Sequence, residues 1–279
     1  MLYTLNNLTT PDNNALLNLE IGKVLYSPHN TFQISATEQE CIFVDNINTN
    51  KHKNISYDYI KQHLNTSNQK IDNLDSTLTR FMQRYAEFSR ELIITVLPDY
   101  KEHLIWGRTS YRSAEISGRR TSKLQDDTKL HIDAFPSTPV HGKRILRVFC
   151  NINPYNKPRV WNLGEDFAQV LHYFNNDIPK YSVLMAKILY MMKLTKSVRS
   201  HYDHQQLALH NQMKLNNNYQ LSAKKQQIDF AAQTLWIAFT DQVSHAALSG
   251  QFLLEQTFYL PINGMRQPEY SPLMQWDQL

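Results

Sequence analysis

Apolar residues recur with two different periods along the chain. From Asp75 to about Val96 they return every three or four residues, which predicts an amphipathic helix. Asp75 or Ser76 can cap this helix, and Pro98 ends it. Its apolar positions are Leu78, Phe81, Met82, Tyr85, Phe88 and Leu92. Further along, the period changes to two, so the chain is expected to contain both helices and strands.

Strand-like alternation marks the middle of the chain. The segment from Leu130 to Asn153 predicts two strands joined by a turn over Phe135–Gly142. The second strand alternates between Ile145, Arg147 and Phe149 on one side and Leu146, Val148 and Cys150 on the other. Further extended segments are predicted at Val24–Tyr26, Phe32–Ile34, Ile42–Val44, His103–Arg120 and Val160–Leu163.

Helical periodicity returns from about 165 to 220, with an interruption near Asp177–Pro179. Residues 227–239 are ambiguous in period, and strand character returns from Asp241 to Pro261, where Gly250 is expected to form a bulge or turn. The chain contains no internal repeat, and we expect one domain over residues 1–279. Its predicted parts are a mixed lead-in (1–74), the helix (75–96), a first strand-rich part (103–163), a helical insertion (165–220) and closing strands (227–261).

A His-x-Asp pair opens the predicted strand at Leu130. Residues two apart on a strand point to the same side, so His131 and Asp133 would face one cavity. This pair supplies two of the three ligands of a 2-His-1-carboxylate iron site. A second pair, His201 and Asp203, lies in a helical stretch. Residues two apart on a helix point about 200° apart around its axis, so the second pair cannot easily bind one metal ion.

The third ligand should be a histidine on a later strand. His245 is the only histidine after His210, although a partly buried histidine without a ligand role is the alternative. Many enzymes with such a site carry Arg or Lys about ten residues after the distal histidine to hold a carboxylate cosubstrate, but Glu255 stands there. An arginine in an apolar strand needs an anion, because an unpaired buried charge is costly. Arg147 and Arg112 are therefore the candidates for binding a carboxylate cosubstrate.

The net charge of +4 is unevenly distributed. The window from Arg108 to Arg147 holds nine Lys or Arg and four Asp or Glu, and thus carries +5. A local basic field favours an anionic small molecule or a membrane surface, and we expect no nucleic-acid partner. The exposed members of this basic window are expected to be Arg119, Arg120 and Lys123, for which a solvated basic face is the alternative.

The remaining composition is that of an ordinary globular protein. Hydrophobic residues make up 42% and charged residues 19% of the chain. Two cysteines, Cys41 and Cys150, make no disulfide framework. The N-terminus lacks the basic and apolar regions of a signal peptide, and the apolar run Tyr181–Leu194 is too short to span a bilayer. We therefore expect a cytoplasmic protein that can contact the inner face of a membrane.

Several long stretches resemble the Kdo hydroxylase family. The most specific is LHIDAFPSTPVHGKRILRVFCNINP at 130–154, followed by PRVWNLGEDF at 158–167. Similar stretches are GKVLYSPHNTFQIS at 22–35, KNISYD at 53–58, HYDHQQLALHNQMKLNNNYQ at 201–220 and SHAALSGQFLLEQTFYLP at 244–261. The resemblance covers most of the chain from about Glu20.

The resemblance implies an α+β fold, with a cupin-like double-stranded β-helix (jelly roll) core, flanking helices and a helical insertion. It implies an Fe(II)- and 2-oxoglutarate-dependent dioxygenase that uses O2 to hydroxylate carbon 3 of the sugar Kdo, giving Ko, in the lipopolysaccharide inner core. By position, His131, Asp133 and His245 would bind the iron, and Arg147, Arg112 and Trp161 would hold 2-oxoglutarate. Asn162 replaces a basic residue expected at its place. Tyr202, Asp203 and His210 would line the substrate side or form a packed polar helix face.

The implied partner is a Kdo-containing lipid A precursor, reached by peripheral contact with the cytoplasmic face of the inner membrane. Two alternatives differ in substrate or in class. A 2-oxoglutarate-dependent hydroxylase of a protein side chain would fit the basic window less well than an acidic sugar does. A non-catalytic jelly-roll module that binds sugars would have no need of His131, Asp133 and His245 together.

Overall fold

The structure is a computed structural model that describes residues 1–29, 32–43, 54–65, 72–119 and 121–278. Its strands are β1 (Leu2–Thr4), β2 (Val24–Ser27), β3 (Ile55–Asp58), β4 (His63–Asn65), β5 (Ile105–Arg112), β6 (Arg144–Asn151), β7 (Arg159–Leu163), β8 (Gln226–Phe230), β9 (Thr234–Phe239), β10 (His245–Ser249) and β11 (Leu253–Leu260). An eight-stranded sheet has the order β1-β2-β9-β6-β11-β5-β3-β4, and a three-stranded sheet has the order β10-β7-β8.

The two sheets face each other across a layer of aromatic side chains. Phe149 of β6 and Trp236 of β9 come from the large sheet, and Trp161 of β7 and Phe230 of β8 from the small one. The ring centroids of Phe149 and Trp161 are 5.1 Å apart, and those of Phe230 and Trp236 are 4.0 Å apart. Burial of these rings holds the sheets together and forms the predicted jelly-roll core.

Eight helices surround the sheets in the described part of the chain. They are α1 (Asn13–Glu20), α2 (Ala36–Ile42), α3 (Asp72–Val96), α4 (Phe167–Phe174), α5 (Val183–Met191), α6 (His201–Leu215), α7 (Asn217–Ser222) and α8 (Pro272–Trp276). None of the helices in the described ranges combines the length and the apolar composition needed to cross a bilayer.

Helix α3 confirms the predicted amphipathic helix and covers the outer face of the large sheet. It begins at Asp72, so Asp75 and Ser76 lie inside the helix and the cap predicted there is wrong. Ile93 and Val96 pack in one cluster with Leu146 and Val148 of β6. Every residue of β6 is buried, because its other face, with Arg147, points into the space between the sheets. This confirms the alternation predicted for that strand, and it places a charged side chain inside the fold.

The helical insertion is also confirmed, and it supports the segment that carries the His-x-Asp pair. Helices α4 to α7 lie between β7 and β8 in the chain, with a break after Phe174. Leu130 and Ile132 pack in one cluster with apolar residues of α4 and α6, including Phe167 and Leu209. Those contacts hold residues 130–133 beside the small sheet.

Three strand predictions are wrong. Phe32–Ile34 is irregular, and Ala36–Ile42 is a helix, so Ile42–Val44 is not a strand; Val44 itself lies outside the described residues. Ser35 and Glu38 form a capping box there, a local signal that outweighs a short apolar run. Leu130 does not begin a strand either: His131 makes a single bridge to His245. Pro136 and Pro139, which follow, have no backbone N–H to donate to a ladder.

Candidate active site

Three predicted ligands meet at one point between the sheets. His131 and His245 exchange backbone hydrogen bonds of 2.9 and 2.8 Å, and the Asp133 N–H donates to the Thr240 carbonyl at 2.7 Å. One ligand atom from each of His131, Asp133 and His245 lies within 4.8 Å of the others. The bridge between the histidines, rather than a regular strand, therefore brings the side chains together.

Both histidines present the same nitrogen to this point. The Nδ1–H of His131 donates to the Lys129 carbonyl at 2.7 Å, and the Nδ1–H of His245 donates to the Val243 carbonyl at 2.8 Å. Burial, together with neighbouring cationic groups, lowers the pKa of both imidazoles, so each is neutral with a lone pair on Nε2. Backbone carbonyls that fix the tautomer in this way are usual around metal-binding histidines.

Asp133 completes a donor set that fits Fe(II). Burial by itself would raise the pKa of its carboxyl group, but Arg147 and the two imidazoles outweigh burial and hold the pKa well below its usual range. Asp133 Oδ1 lies 3.9 Å from His131 Nε2. Two neutral imidazoles and one carboxylate on one side of an open cavity are the ligands of a 2-His-1-carboxylate iron site. The ligand role itself stays a prediction.

The cavity above the triad has a volume of about 490 Å³. Four cationic side chains and three carboxylates line it: Arg112, Arg147, Arg159, Lys214, Asp127, Asp133 and Glu255. Its remaining wall includes Phe135, Phe149 and Trp161. A cavity of this size with convergent polar groups and perturbed pKa values has the properties of a binding site for small molecules.

Glu255 sits between the two arginines that the sequence singles out. Arg112 donates to Glu255 Oε2 at 3.0 and 2.7 Å, and Arg147 Nη1 lies 3.1 Å from Glu255 Oε1. Burial raises the pKa of the Glu255 carboxyl group, but the two guanidinium groups outweigh it and lower the pKa overall. The acidic residue found ten positions after His245 thus positions the arginines. Arg147 Nη1 also lies 3.3 Å from Asp133 Oδ2, which couples it to the triad.

Sequence reasoning missed Arg159, which has the least compensated charge in the cavity. It is only 2% exposed and donates from Nη1 to the Gly250 carbonyl at 2.8 Å. Within the described ranges, its Nε has no hydrogen-bond partner and no carboxylate forms an ion pair with it. Burial and then the neighbouring Arg112 lower its pKa to about 9. Arg159, like Arg147, is an arginine on an apolar strand, and this pattern is visible in the sequence.

Trp161 lies two residues after Arg159 and shares its side of β7. Its ring stacks on His245, with centroids 4.9 Å apart and an angle of 23°. Its Nε1–H is buried and finds no acceptor among the described residues. The structure therefore brings Trp161 to the cavity, as predicted. Asn162 does not line this cavity and borders a separate one, so the residue that departs from the family pattern lies away from the triad.

The family of the chain follows from its similarity to known proteins. The family model described as 3-deoxy-D-manno-oct-2-ulosonic acid (Kdo) hydroxylase matches residues 4–279. The chain belongs to the Kdo hydroxylase family. This confirms the family predicted from the sequence. Among curated protein sequences, none matches the chain.

Solved structures of one relative cover the whole chain. The apo structure of the Kdo hydroxylase KdoO, a non-heme Fe(II) α-ketoglutarate-dependent dioxygenase, is 40% identical with a TM-score of 0.93. Two complexes of KdoO, with α-ketoglutarate and Fe(III) and with cobalt(II), are each 39% identical with a TM-score of 0.93. All three alignments cover 100% of this chain and 94% of the other.

Helix α6 of this Kdo hydroxylase family member contributes to the cavity in a way that the sequence left open. His210 lines the cavity, donates from Nδ1 to the Ile132 carbonyl at 2.6 Å, and packs edge-on to His131 with centroids 5.3 Å apart. One turn later, Lys214 donates to the Leu124 carbonyl at 3.0 Å. Ser200 instead caps α6 by accepting from the Asp203 N–H, and the Asp203 carboxylate accepts from the N–H groups of residues 140, 141 and 200, so its contacts are structural.

The structure describes two of the three cations of the basic window that are expected to be exposed. Lys123 is exposed and Arg119 is half-buried, whereas Arg120 lies outside the described residues. The segment after Lys123 reaches the cavity, where Leu124 and Gln125 form part of the wall. The contact of these cations with a membrane stays a prediction.

Proposed function

We propose that the chain is an Fe(II)- and 2-oxoglutarate-dependent dioxygenase that hydroxylates carbon 3 of Kdo, giving Ko, in a lipid A precursor. The observation that carries the proposal is the convergence of His131, Asp133 and His245 on one point of a cationic cavity. Membership of the Kdo hydroxylase family supports the choice of sugar. We also propose that residues 1–279 act as one domain.

The triad would hold the iron through Nε2 of His131, Nε2 of His245 and the carboxylate of Asp133. Iron bound there would supply the redox chemistry. In that reaction 2-oxoglutarate and O2 are converted into succinate and CO2, and a hydroxyl group replaces one C–H hydrogen of the sugar. The protein keeps both imidazoles neutral and Asp133 ionised, so all three ligands are ready to bind without losing a proton.

The charges of the cavity suit two acidic molecules. Its four cations and three carboxylates leave one excess positive charge, and Fe(II) would add two more. A 2-oxoglutarate dianion would then leave one positive charge for the carboxylate of Kdo. This balance favours an acidic sugar over an ordinary peptide side chain as the second substrate.

Arg147, Arg112 and Trp161 would hold 2-oxoglutarate, and Arg159 joins them. Arg112 and Arg147 already share Glu255, whereas Arg159 is buried without an ion-pair partner in the described part of the chain. A carboxylate of 2-oxoglutarate would relieve this uncompensated charge by a charge-assisted pair with the guanidinium fork. The unsatisfied Nε1–H of Trp161 is a second donor in the same wall.

The decisive test is turnover by the purified chain. Anaerobic addition of Fe(II) and 2-oxoglutarate should produce a charge-transfer absorption band that needs both components. Admission of O2 with a Kdo-containing lipid A precursor should give equal amounts of succinate and of a product heavier by one oxygen atom, detected by mass spectrometry. A lipid substrate that keeps its mass under these conditions would overturn the proposed activity.

The proposed substrate also suggests where the protein works. A lipid-linked sugar lies in a membrane, and the Kdo-containing precursor is expected at the inner membrane. We therefore place the protein in the cytoplasm, in peripheral contact with the cytoplasmic face of that membrane. Mass spectrometry of the lipopolysaccharide core from cells with and without the protein would test the identity of the acceptor.

A further inference from the structure

One segment of the helical insertion exposes an unusual amount of apolar surface. In α5 only Ala186 is buried. Leu184 and Met191 are each 70% exposed, and Met192, just after the helix, is 64% exposed. The large exposed apolar residues of this segment, called here the α5 face, are Val183, Leu184, Met185, Tyr190, Met191, Met192 and Leu194. Exposed apolar side chains concentrated in one segment in this way indicate a surface that binds a partner.

The charges around the α5 face all have one sign. From Ile178 to Tyr202 the sequence contains five Lys or Arg and no Asp or Glu. Its four lysines are exposed and form no ion pair with any residue in the described ranges: Lys180, Lys187, Lys193 and Lys196. Apolar side chains interspersed with cations are the composition of helices that lie in the interface of an anionic bilayer.

The segment is attached to the wall of the proposed active site. The Lys196 N–H donates to the Ser137 carbonyl at 2.9 Å, and the Arg199 guanidinium donates to the Pro136 carbonyl. Pro136 lines the cavity together with Phe135, two residues after Asp133. A surface that binds to the α5 face would therefore lie beside the cavity that contains the triad.

We infer that the α5 face docks the protein onto a bilayer with anionic headgroups. The apolar side chains would enter the boundary between headgroups and acyl chains, and the lysines would pair with lipid phosphates. A second copy of the chain is disfavoured, since a symmetric contact through this surface would bring two segments of charge +5 together. The inference rests on the proposed function only in that a lipid-linked sugar in the same bilayer would reach the adjacent cavity.

Vesicle binding tests the docking surface without any turnover. The full chain should co-sediment with vesicles of phosphatidylethanolamine and phosphatidylglycerol, and much less with vesicles of phosphatidylcholine. The triple variant Leu184→Ser/Met191→Ser/Met192→Ser should bind anionic vesicles at least about tenfold more weakly, because each fully buried side chain of this size is worth roughly tenfold or more. Replacing Lys187 and Lys193 by Gln should cost about fivefold per charge and reduce the salt dependence.

A pair of single-cysteine labels locates the contact. Both natural cysteines are buried, so an environment-sensitive fluorophore will label an introduced surface thiol selectively. Anionic vesicles should shift the emission of the label at Leu184→Cys to shorter wavelength. The matched control is Leu221→Cys on α7, at a residue that is 84% exposed but outside the segment. Its emission should not change, and equal shifts at both sites would overturn the assignment.

Activity on two substrates separates this inference from the proposed function. The triple variant should keep its rate on a water-soluble Kdo oligosaccharide and lose at least about tenfold on the same sugar linked to lipid in vesicles. An inactive protein that still binds anionic vesicles would refute the proposed function alone. The α5 assignment would be refuted if the triple variant bound vesicles normally while reversal of the Lys123 charge abolished binding in an active protein. It would also be refuted if the protein formed a dimer that the triple variant abolished.

Discussion

The sharpest test of the proposed cosubstrate site is Arg159→Gln. Arg159 is fully within the fold, yet no carboxylate among the described residues forms an ion pair with it. A buried charge without an ion-pair partner destabilises a fold, and replacing it with a shorter, neutral side chain removes that cost. We therefore expect opposite effects: the protein without 2-oxoglutarate should be as stable as before or more stable, and binding of 2-oxoglutarate should weaken.

The expected loss of 2-oxoglutarate affinity follows from the burial of the pair that Arg159 would form with the cosubstrate carboxylate. Removing one partner of a buried, hydrogen-bonded charge pair costs about 2–5 kcal/mol. At 1.4 kcal/mol for each factor of ten, the requirement for 2-oxoglutarate should rise by roughly 30-fold to several thousand-fold. Gln keeps an N–H donor at this position, but its side chain is shorter than the Arg159 side chain that donates to the Gly250 carbonyl.

Two measurements separate these effects. Succinate formation at varied 2-oxoglutarate concentration gives the cosubstrate requirement, and thermal unfolding with and without 2-oxoglutarate gives the stability and its linkage to binding. Lys157→Gln is the matched control, because Lys157 is an exposed cation just before β7 and should change neither quantity. A cosubstrate role for Arg159 would be refuted if Arg159→Gln had a normal 2-oxoglutarate requirement. It would also be refuted if the variant lost much of its stability when 2-oxoglutarate is absent.

Five further variants test the rest of the site. His131→Ala, Asp133→Ala and His245→Ala should each abolish succinate formation while circular dichroism stays native, and normal turnover by any of them would remove that residue from the ligand set. Arg147→Ala should raise the 2-oxoglutarate requirement at least tenfold, as a buried charged partner is lost, and should change iron affinity measured by titration much less; an unchanged 2-oxoglutarate requirement would shift the role to Arg112 or another residue. Gly250→Ala should lower stability by about 1–3 kcal/mol in thermal unfolding and weaken 2-oxoglutarate binding, since Gly250 has φ of +114° and its Cβ would lie 2.9 Å from Arg159 Cδ; an unchanged melting temperature would contradict this.

The pattern of apolar residues along the chain predicted the long helix and strand correctly, because each depends on residues that are close together in the sequence. The apolar stripe of α3 and the alternation of β6 follow from which side of an element is buried. The strand predictions at Phe32–Ile34 and Ile42–Val44 were wrong, because a short apolar run does not distinguish a strand from a helix or a packed loop. The capping box of Ser35 and Glu38, visible in the sequence, decides that helix.

The residue types at the candidate metal site were also determined by the sequence. His131, Asp133 and His245 were named from spacing and position, and the tertiary structure brings them together. The His-x-Asp spacing predicts that a regular strand orients these side chains, and this prediction is wrong. An isolated bridge between His131 and His245, not a regular strand, aligns them. Pairing between residues far apart in the chain depends on the whole sheet arrangement, which local periodicity does not describe.

Charge compensation was decided only by the tertiary structure. The sequence shows several arginines and acidic residues but not which of them meet. Folding pairs Glu255 with Arg112 and Arg147, leaves Arg159 buried without an ion pair in the described ranges, and exposes the apolar face of α5. Electrostatic energies depend on distances of a few ångströms and on burial, and both quantities exist only once residues distant in the sequence are packed together.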